Sequence, residues 1–279
     1  MYVELNNGLF IPNIGLGTFM MSPEEAEKYV YEAIRLGYRL IDTANAYVNE
    51  RAVGRAIKAS GVAREDITIS TKLWPTEYTN PNAIDDTLER LGVDYIDILY
   101  LHQPVGEYMI GYKMLETAYK EGKVKAIGVS NFEGDYLDEI LNKCEIIPQI
   151  ITVECHPYFI QTALRKKIEP YDIQIMCWYP LGHGDKAMFD EPIFRELAIK
   201  YHKRPAQIIL RWHLQMGFVI IPGSKNPSHL SENRDLFDFE LSTFEMREIE
   251  KLNKGIRYYV RTDDHLDQLA TWRPEYEKE

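Results

Sequence analysis

Cysteine is scarce in this 279-residue chain: three occur, Cys144, Cys155 and Cys177, an odd number with no close pair. That argues against a disulfide framework and points to buried, reduced thiols in a cytosolic protein. Positive charge is also short. Lys and Arg total 32 against 43 Asp and Glu, a net charge of −11. A broad nucleic-acid surface and an anionic-membrane surface are therefore not expected, although a small local phosphate site remains compatible. No apolar run approaches the length of a transmembrane helix. The opening segment MYVELNNGLFIPNIG has no basic region followed by an apolar core, so no signal peptide is expected. Gly15-Leu16-Gly17 falls short of a dinucleotide-binding fingerprint, because Met20 stands where the third glycine belongs. A tight approach at a strand end is expected there instead. The seven histidines and three cysteines show no zinc spacing, so no metal is expected. Linkers, repeats and low-complexity segments are missing as well, and residues 1–279 read as one domain.

What is present suits a soluble globular protein with a sizeable core: 45% hydrophobic and 27% charged residues. Short β-rich runs alternate with helix-period segments. Strands are expected at 14–19, 40–43, 68–73, 95–101, 125–130, 149–154, 173–178 and 218–221. Helices are expected at 23–36, 50–59, 81–91, 111–121, 136–141, 161–169, 205–215 and 227–233. Ser22-Pro23-Glu24-Glu25 offers a cap, a first-turn proline and acids at the positive helix end. Gly37 and Gly122 suit left-handed C-caps. Continuous apolar strands such as IDILYL suit a parallel sheet covered on both faces. Eight alternations in this length predict an α/β fold, a (β/α)₈ barrel. Residues 2–5 and 9–11 around Asn7-Gly8 read as a β-hairpin able to plug the barrel bottom. Two additional helices are expected at 192–201 and 243–252, and the tail 255–279 shows charge and tyrosine but little periodicity.

Four polar residues stand at successive strand ends. Asp42 closes the second strand and Tyr47 follows in the next loop, Lys72 lies near the end of the third, and His102 ends the fourth. Barrel active sites converge on those ends, and a lysine and an aspartate there are costly to bury unless paired. Each also has an ordinary reading: Asp42-Thr43 as a turn, Tyr47 as one of 19 tyrosines, Lys72 as a surface cation, His102 as a loop residue. Their joint occurrence in this order favours catalysis.

The segments IDTANAYVNE, ISTKLW, LYLHQP, KAIGVSNF, ECHPY and IPGSKNPSHLSEN resemble the aldo-keto reductases, in order and at family spacing, from about residue 5 to 241. The resemblance implies reduction of aldehydes or ketones to alcohols by hydride transfer from a nicotinamide cofactor. Tyr47 would donate the proton, Lys72 would lower its pKa, Asp42 would hold the lysine, and His102 would position the carbonyl oxygen. Ser130 and Asn131 match the pair that holds the nicotinamide carboxamide, and Trp178 matches the aromatic that stacks on the ring. Thr152 replaces a glutamine that contacts the same amide, and Tyr179 replaces a common serine. Leu181 and Gly182, followed by His183-Gly184, would continue along the pyrophosphate.

At the far end Ser224, Glu232 and Asn233 match, but Gly223 and His229 replace the lysine and arginine of NADPH-preferring members. Lys225 or the N-terminus of the next helix could take over the 2′-phosphate. NADPH is the expected cofactor, with NADH as the alternative. Phe19, Trp74 and Gln103 match the substrate pocket, where an aromatic wall suits a carbonyl compound with an apolar body. Tyr258, Tyr259 and Trp272 of the tail could cover it, with surface packing favoured for each singly. The expected partner is a small carbonyl substrate, with no nucleic acid and no membrane, in a monomer or weak homodimer. Two rivals stand beside this reading. One is a cofactor-binding regulatory or structural protein on the same barrel, disfavoured by the intact tetrad. The other is a barrel hydrolase using Asp97 or Glu154, neither of which forms an evident carboxylate pair.

Overall fold

The computed structural model describes residues 1–277; residues 278–279, the end of the expected tail, lie outside the described residues. Ten strands follow in chain order: β1 (Tyr2–Glu4), β2 (Phe10–Pro12), β3 (Leu16–Gly17), β4 (Leu40–Asp42), β5 (Thr68–Leu73), β6 (Ile96–Leu101), β7 (Val124–Ser130), β8 (Ile150–Glu154), β9 (Gln174–Trp178) and β10 (Val219–Ile220). The helices are α1 (Pro23–Arg35), α2 (Glu50–Ser60), α3 (Ala83–Leu91), α4 (Tyr108–Lys120), α5 (Asp135–Lys143), α6 (Thr162–Ile168), α7 (Lys186–Phe189), α8 (Pro192–Tyr201), α9 (Pro205–Gln215), α10 (Pro227–Arg234), α11 (Thr243–Glu250) and α12 (Asp263–Thr271). Strands β3 to β10 pair in parallel in sequence order. The ring closes where Ile14 bridges Ile220 and the Gly15 N–H donates to the Ile220 carbonyl at 2.8 Å. This is the expected (β/α)₈ barrel.

The glycines before and in β3 answer to that closure. A Cβ on Gly17 would sit 2.8 Å from the Ile221 carbonyl, and one on Gly15 would meet Leu40 at 2.5 Å. Close backbone approach, rather than phosphate binding, is their role. The antiparallel pair β1–β2 plugs the opposite end. Its Leu5 and Ile11 are buried with Leu40, Ile98, Tyr100, Ala126, Ile150 and Met176 inside the barrel, each worth about 1.5–3 kcal/mol of apolar transfer.

Local signals act as read. Ser22 Oγ accepts from the Glu25 N–H, and Glu25 Oε2 accepts from the Ser22 N–H at 2.9 Å, completing a capping box on α1. Helix α4 starts three residues before the expected boundary. Gly111 lies inside it because the helix passes Tyr78 so closely that a Cβ would be 2.9 Å from the ring. The tail differs most from its sequence reading, since residues of weak periodicity form α12. Together with the four-residue α7, it adds to the two extra helices expected, which are α8 and α11. Among the described residues no helix is long and apolar enough to cross a membrane.

Candidate active site

Asp42 ends β4, Lys72 is next to last in β5, and His102 follows β6. All three therefore reach the C-terminal rim of the barrel. Asp42 and Lys72 are each 2% exposed, and charges so far from water persist only when paired and fully hydrogen-bonded. Lys72 Nζ lies 2.7 Å from Asp42 Oδ2 and donates to the Thr43 carbonyl at 2.8 Å. Ser70 Oγ donates to Asp42 Oδ1 at 2.7 Å. Burial pulls the Lys72 ammonium below its ordinary value, and the Asp42 carboxylate opposes that shift.

Tyr47 closes a 3₁₀ turn, Asn45–Tyr47, and Val48 follows in the left-handed region at φ 56°. A β-branched residue is strained there and needs its surroundings to hold it. Two asparagines supply the hold. Asn45 Oδ1 accepts from the Trp74 N–H at 3.0 Å. Asn49 accepts from Thr43 Oγ1 at 2.7 Å and donates to the carbonyls of Thr18 and Met21. The turn thus delivers the Tyr47 ring to a point 5.1 Å from Lys72 Nζ and 5.7 Å from the His102 ring centre.

Sequence reasoning expects Lys72 to lower the Tyr47 pKa, but in the structure burial is the larger influence and the net direction is upward. Burial pushes the phenol well above its ordinary value of 10, and the Asp42 carboxylate and Tyr179 add to the rise. The lysine's charge is already balanced by Asp42, so loss of water around a phenolate wins. Tyr47 is held as a phenol with a proton to give. Burial, with Lys72 second, likewise holds His102 well below 6.5, so the ring is a neutral imidazole. It stands edge-on to Trp74 at 5.0 Å, and its Nδ1 has no partner among the described residues.

All four side chains border one cavity of about 1140 Å³. Over residues 13–254 the sequence matches the aldo/keto reductase family. The chain belongs to the aldo/keto reductases. It is 41% identical over 259 residues to the methylglyoxal reductase DkgA of Salmonella typhimurium, covering 91% of this chain and 94% of that protein. It is 43% identical to the glyoxal reductase of Bacillus subtilis, covering 95% and 97%. The Bombyx mori aldo-keto reductase solved in complex with NADP superposes with a TM-score of 0.86 at 32% identity, covering 92% of this chain and 94% of that one. This aldo/keto reductase is an oxidoreductase of the NAD(P)H-dependent, carbonyl-reducing class, not a non-catalytic binding protein.

The remaining sequence candidates distribute around that cavity. Phe19, Trp74 and Gln103 line it beside the tetrad, and Ser130, Asn131, Trp178, Tyr179 and Leu181 line it as well. Gly223, Ser224, Lys225, His229, Glu232 and Asn233 also line it. Two candidates do not border it. Thr152 pairs across the sheet with Ser130 but is fully buried, with no partner for its hydroxyl among the described residues. Gly182, at φ 56°, faces Met188 and Tyr258, which a Cβ would meet at 2.6 and 3.1 Å. Asp97 lies elsewhere, bound by Arg64 at 2.7 Å and the Ile69 N–H, and forms no catalytic pair.

The lining suits a nicotinamide dinucleotide by donor chemistry. A half-buried indole, a Ser-Asn pair and a group of cations all line one cavity. Asn131 is nevertheless fully engaged: its Nδ2 donates to Gln103 Oε1 and Ser130 Oγ, and its Oδ1 accepts from Trp178 Nε1 at 3.0 Å. Gln103, next to His102, is thus tied through Asn131 to Trp178.

The structure adds residues that sequence reasoning missed. Arg204, capping α9, lines the far end and pairs with Glu232 at 3.1 Å. The cation before Pro205 was visible, but not which way the start of α9 faces. Tyr259 and Trp272 line the cavity rather than packing on the surface, whereas Tyr258 hydrogen-bonds Asp185. Trp74 Nε1 donates to the Trp272 carbonyl at 2.9 Å. Glu154 anchors this tail, accepting from the backbone N–H groups of Tyr258 and Tyr259 at 2.6 and 3.2 Å.

Proposed function

We propose that this chain reduces aldehydes, including α-oxoaldehydes of the kind named for its relatives, with Tyr47 as proton donor and NADPH as the preferred cofactor. The observation that carries this reading is the buried Lys72–Asp42 pair set behind a protonated Tyr47 on the wall of one large cavity. Reduced nicotinamide, when bound, supplies the hydride. Tyr47 then gives its proton to the carbonyl oxygen as negative charge develops there, and the Lys72 ammonium steadies the phenolate left behind. Asp42 keeps that ammonium charged and aimed. The neutral His102 donates one hydrogen bond to the same oxygen and fixes its pose without competing for the proton. Ser130 and Trp178 would hold the nicotinamide, and Asn131 would join them by exchanging one of its bonds to Gln103 or Ser130 for the carboxamide.

At the far end, Lys225, Arg204 and His229 would meet the 2′-phosphate in place of the missing pair of cations. Phe19, Trp74, Gln103 and Trp272 give the substrate an aromatic wall with one amide, which suits a small aldehyde carrying a second polar group or an aromatic body. The test is loss of reduced-nicotinamide absorbance with methylglyoxal and with a simple aromatic aldehyde, using NADPH and NADH in parallel. Turnover with NADPH is expected for both, with weaker binding of NADH at the same salt concentration. Bound NADPH with no oxidation by either aldehyde would overturn the reading.

A further inference from the structure

Behind the cavity wall, in the layer between sheet and helices, Cys155, Cys177 and His213 meet. Cys155 directly follows β8, Cys177 lies in β9 and His213 in α9. All three are fully buried, and their Sγ and ring-nitrogen atoms lie within 4.8 Å of one another. Carbonyl reduction uses none of them. His213 Nδ1 is 2.8 Å from the Ile209 carbonyl oxygen, and Nε2 is 3.1 Å from that of Cys155. A neutral imidazole carries one N–H and can satisfy one of these oxygens. The other nitrogen then turns its lone pair toward an acceptor in a water-free interior, an arrangement that calls for a positive charge at that point.

We infer that Cys155, Cys177 and His213 form a buried binding site for one thiophilic divalent cation of the Zn²⁺ type. A ligating histidine is oriented by donating its other N–H to a backbone carbonyl, and Ile209 provides that acceptor for Nδ1, leaving Nε2 to ligate. Binding releases both thiol protons to solvent, so two thiolates balance the divalent charge and the buried cluster is neutral. A monovalent cation would leave a buried net negative charge. The Cys155 carbonyl oxygen beside Nε2 supplies a fourth donor. Because the ligands come from three separate elements, the sequence shows no zinc spacing. The site is joined to the active-site wall through the chain. Cys155 follows Glu154, which anchors the tail, and Cys177 precedes Trp178, which lines the cavity.

The experiment measures zinc per chain in protein grown with added zinc and purified without chelator. In parallel, metal-free protein is titrated with Cd²⁺ while the near-ultraviolet thiolate-to-cadmium charge-transfer band is followed. One zinc per chain is expected, with a band that saturates at one Cd²⁺ per chain. Both should vanish in Cys177→Ser and persist in Cys144→Ser, whose thiol lies outside the cluster. Circular dichroism checks that Cys177→Ser is folded; if it is not, Cys177→Ala carries the comparison. Zinc well below one per chain with no cadmium band would overturn the site and leave a metal-free histidine–cysteine contact. A band that survives in the Cys177 variants, or disappears with Cys144, would overturn it equally.

Discussion

Two lysines border the same cavity, each against a carboxylate at almost the same distance. Lys72 Nζ is 2.7 Å from Asp42 and Lys225 Nζ is 2.6 Å from Glu25. Their side chains differ in exposure: 3% on both sides of the first pair, 45% and 38% in the second. Distance therefore says little about what either pair does. In the buried pair neither charge has water to return to, so its geometry is compulsory and its neighbours, Ser70 and Thr43, are part of it. In the exposed pair water and salt compete on equal terms, and the lysine can be taken over by a ligand. On the proposed function, one pair is preorganised for chemistry and the other is free to exchange partners for a phosphate.

The sharpest break in that contrast is at the buried end. Tyr47→Phe removes the proposed proton donor while keeping the ring against Phe19 and His102. Carbonyl reduction should fall by about 10²–10⁴-fold in kcat, with NADPH affinity near that of the parent. Turnover retained within an order of magnitude would show that another group supplies the proton. Next comes Asp42→Ala, which strands the Lys72 ammonium in the interior. Breaking a buried pair on one side costs about 3–5 kcal/mol, read by denaturant unfolding. A loss under about 1 kcal/mol, the range of exposed pairs, would mean that Lys72 is no more confined than Lys225.

The same contrast marks what was legible in the sequence. β5 and α9 fall on their expected boundaries, because a run rich in β-branched residues closed by Trp74-Pro75 and a proline-led amphipathic stretch carry their own limits. The tetrad was legible because its residues stand at strand ends, where the fold alone brings them together. The direction of Tyr47's shift was not, since it depends on how much water the assembled wall removes. Helix α12 was hidden for a related reason. Its residues line the cavity, and Trp272 just after it meets Trp74, contacts between positions far apart in sequence that leave little period of their own. The exchange of Gly223 and His229 for cations could be read directly. That Arg204 turns toward the gap could not, because it depends on the tertiary placement of α9.

Arg204→Ala probes the exposed end. The guanidinium pairs with Glu232 on the cavity wall, and a hydrogen bond to a charged group is worth about 1.5–3 kcal/mol. NADPH should bind about tenfold more weakly, the lower edge of that range, while NADH binding stays near the parent's. Equal losses for both cofactors would place Arg204 on a part of the ligand they share, and the contrast between phosphate end and catalytic end would need redrawing.

Glu25→Gln gives the smallest effect and the cleanest one. The Glu25 carboxylate serves two masters through one oxygen, capping α1 at Ser22 and holding Lys225. The lysine lowers the carboxyl's pKa first, and the Ser22 backbone adds to it, so the group is charged at neutral pH. Glutamine keeps an acceptor at this position of the capping box and removes only the charge that competes for Lys225. Freed from its partner, the lysine should favour a phosphate more, and NADPH affinity should rise about two- to fivefold, the scale of an exposed pair. NADH should not respond, because it carries no 2′-phosphate. The gain should also shrink as salt is raised, since both the pair and its replacement are screened. A rise shared by NADH, or one indifferent to salt, would show that the substitution acts through the start of α1 rather than through Lys225.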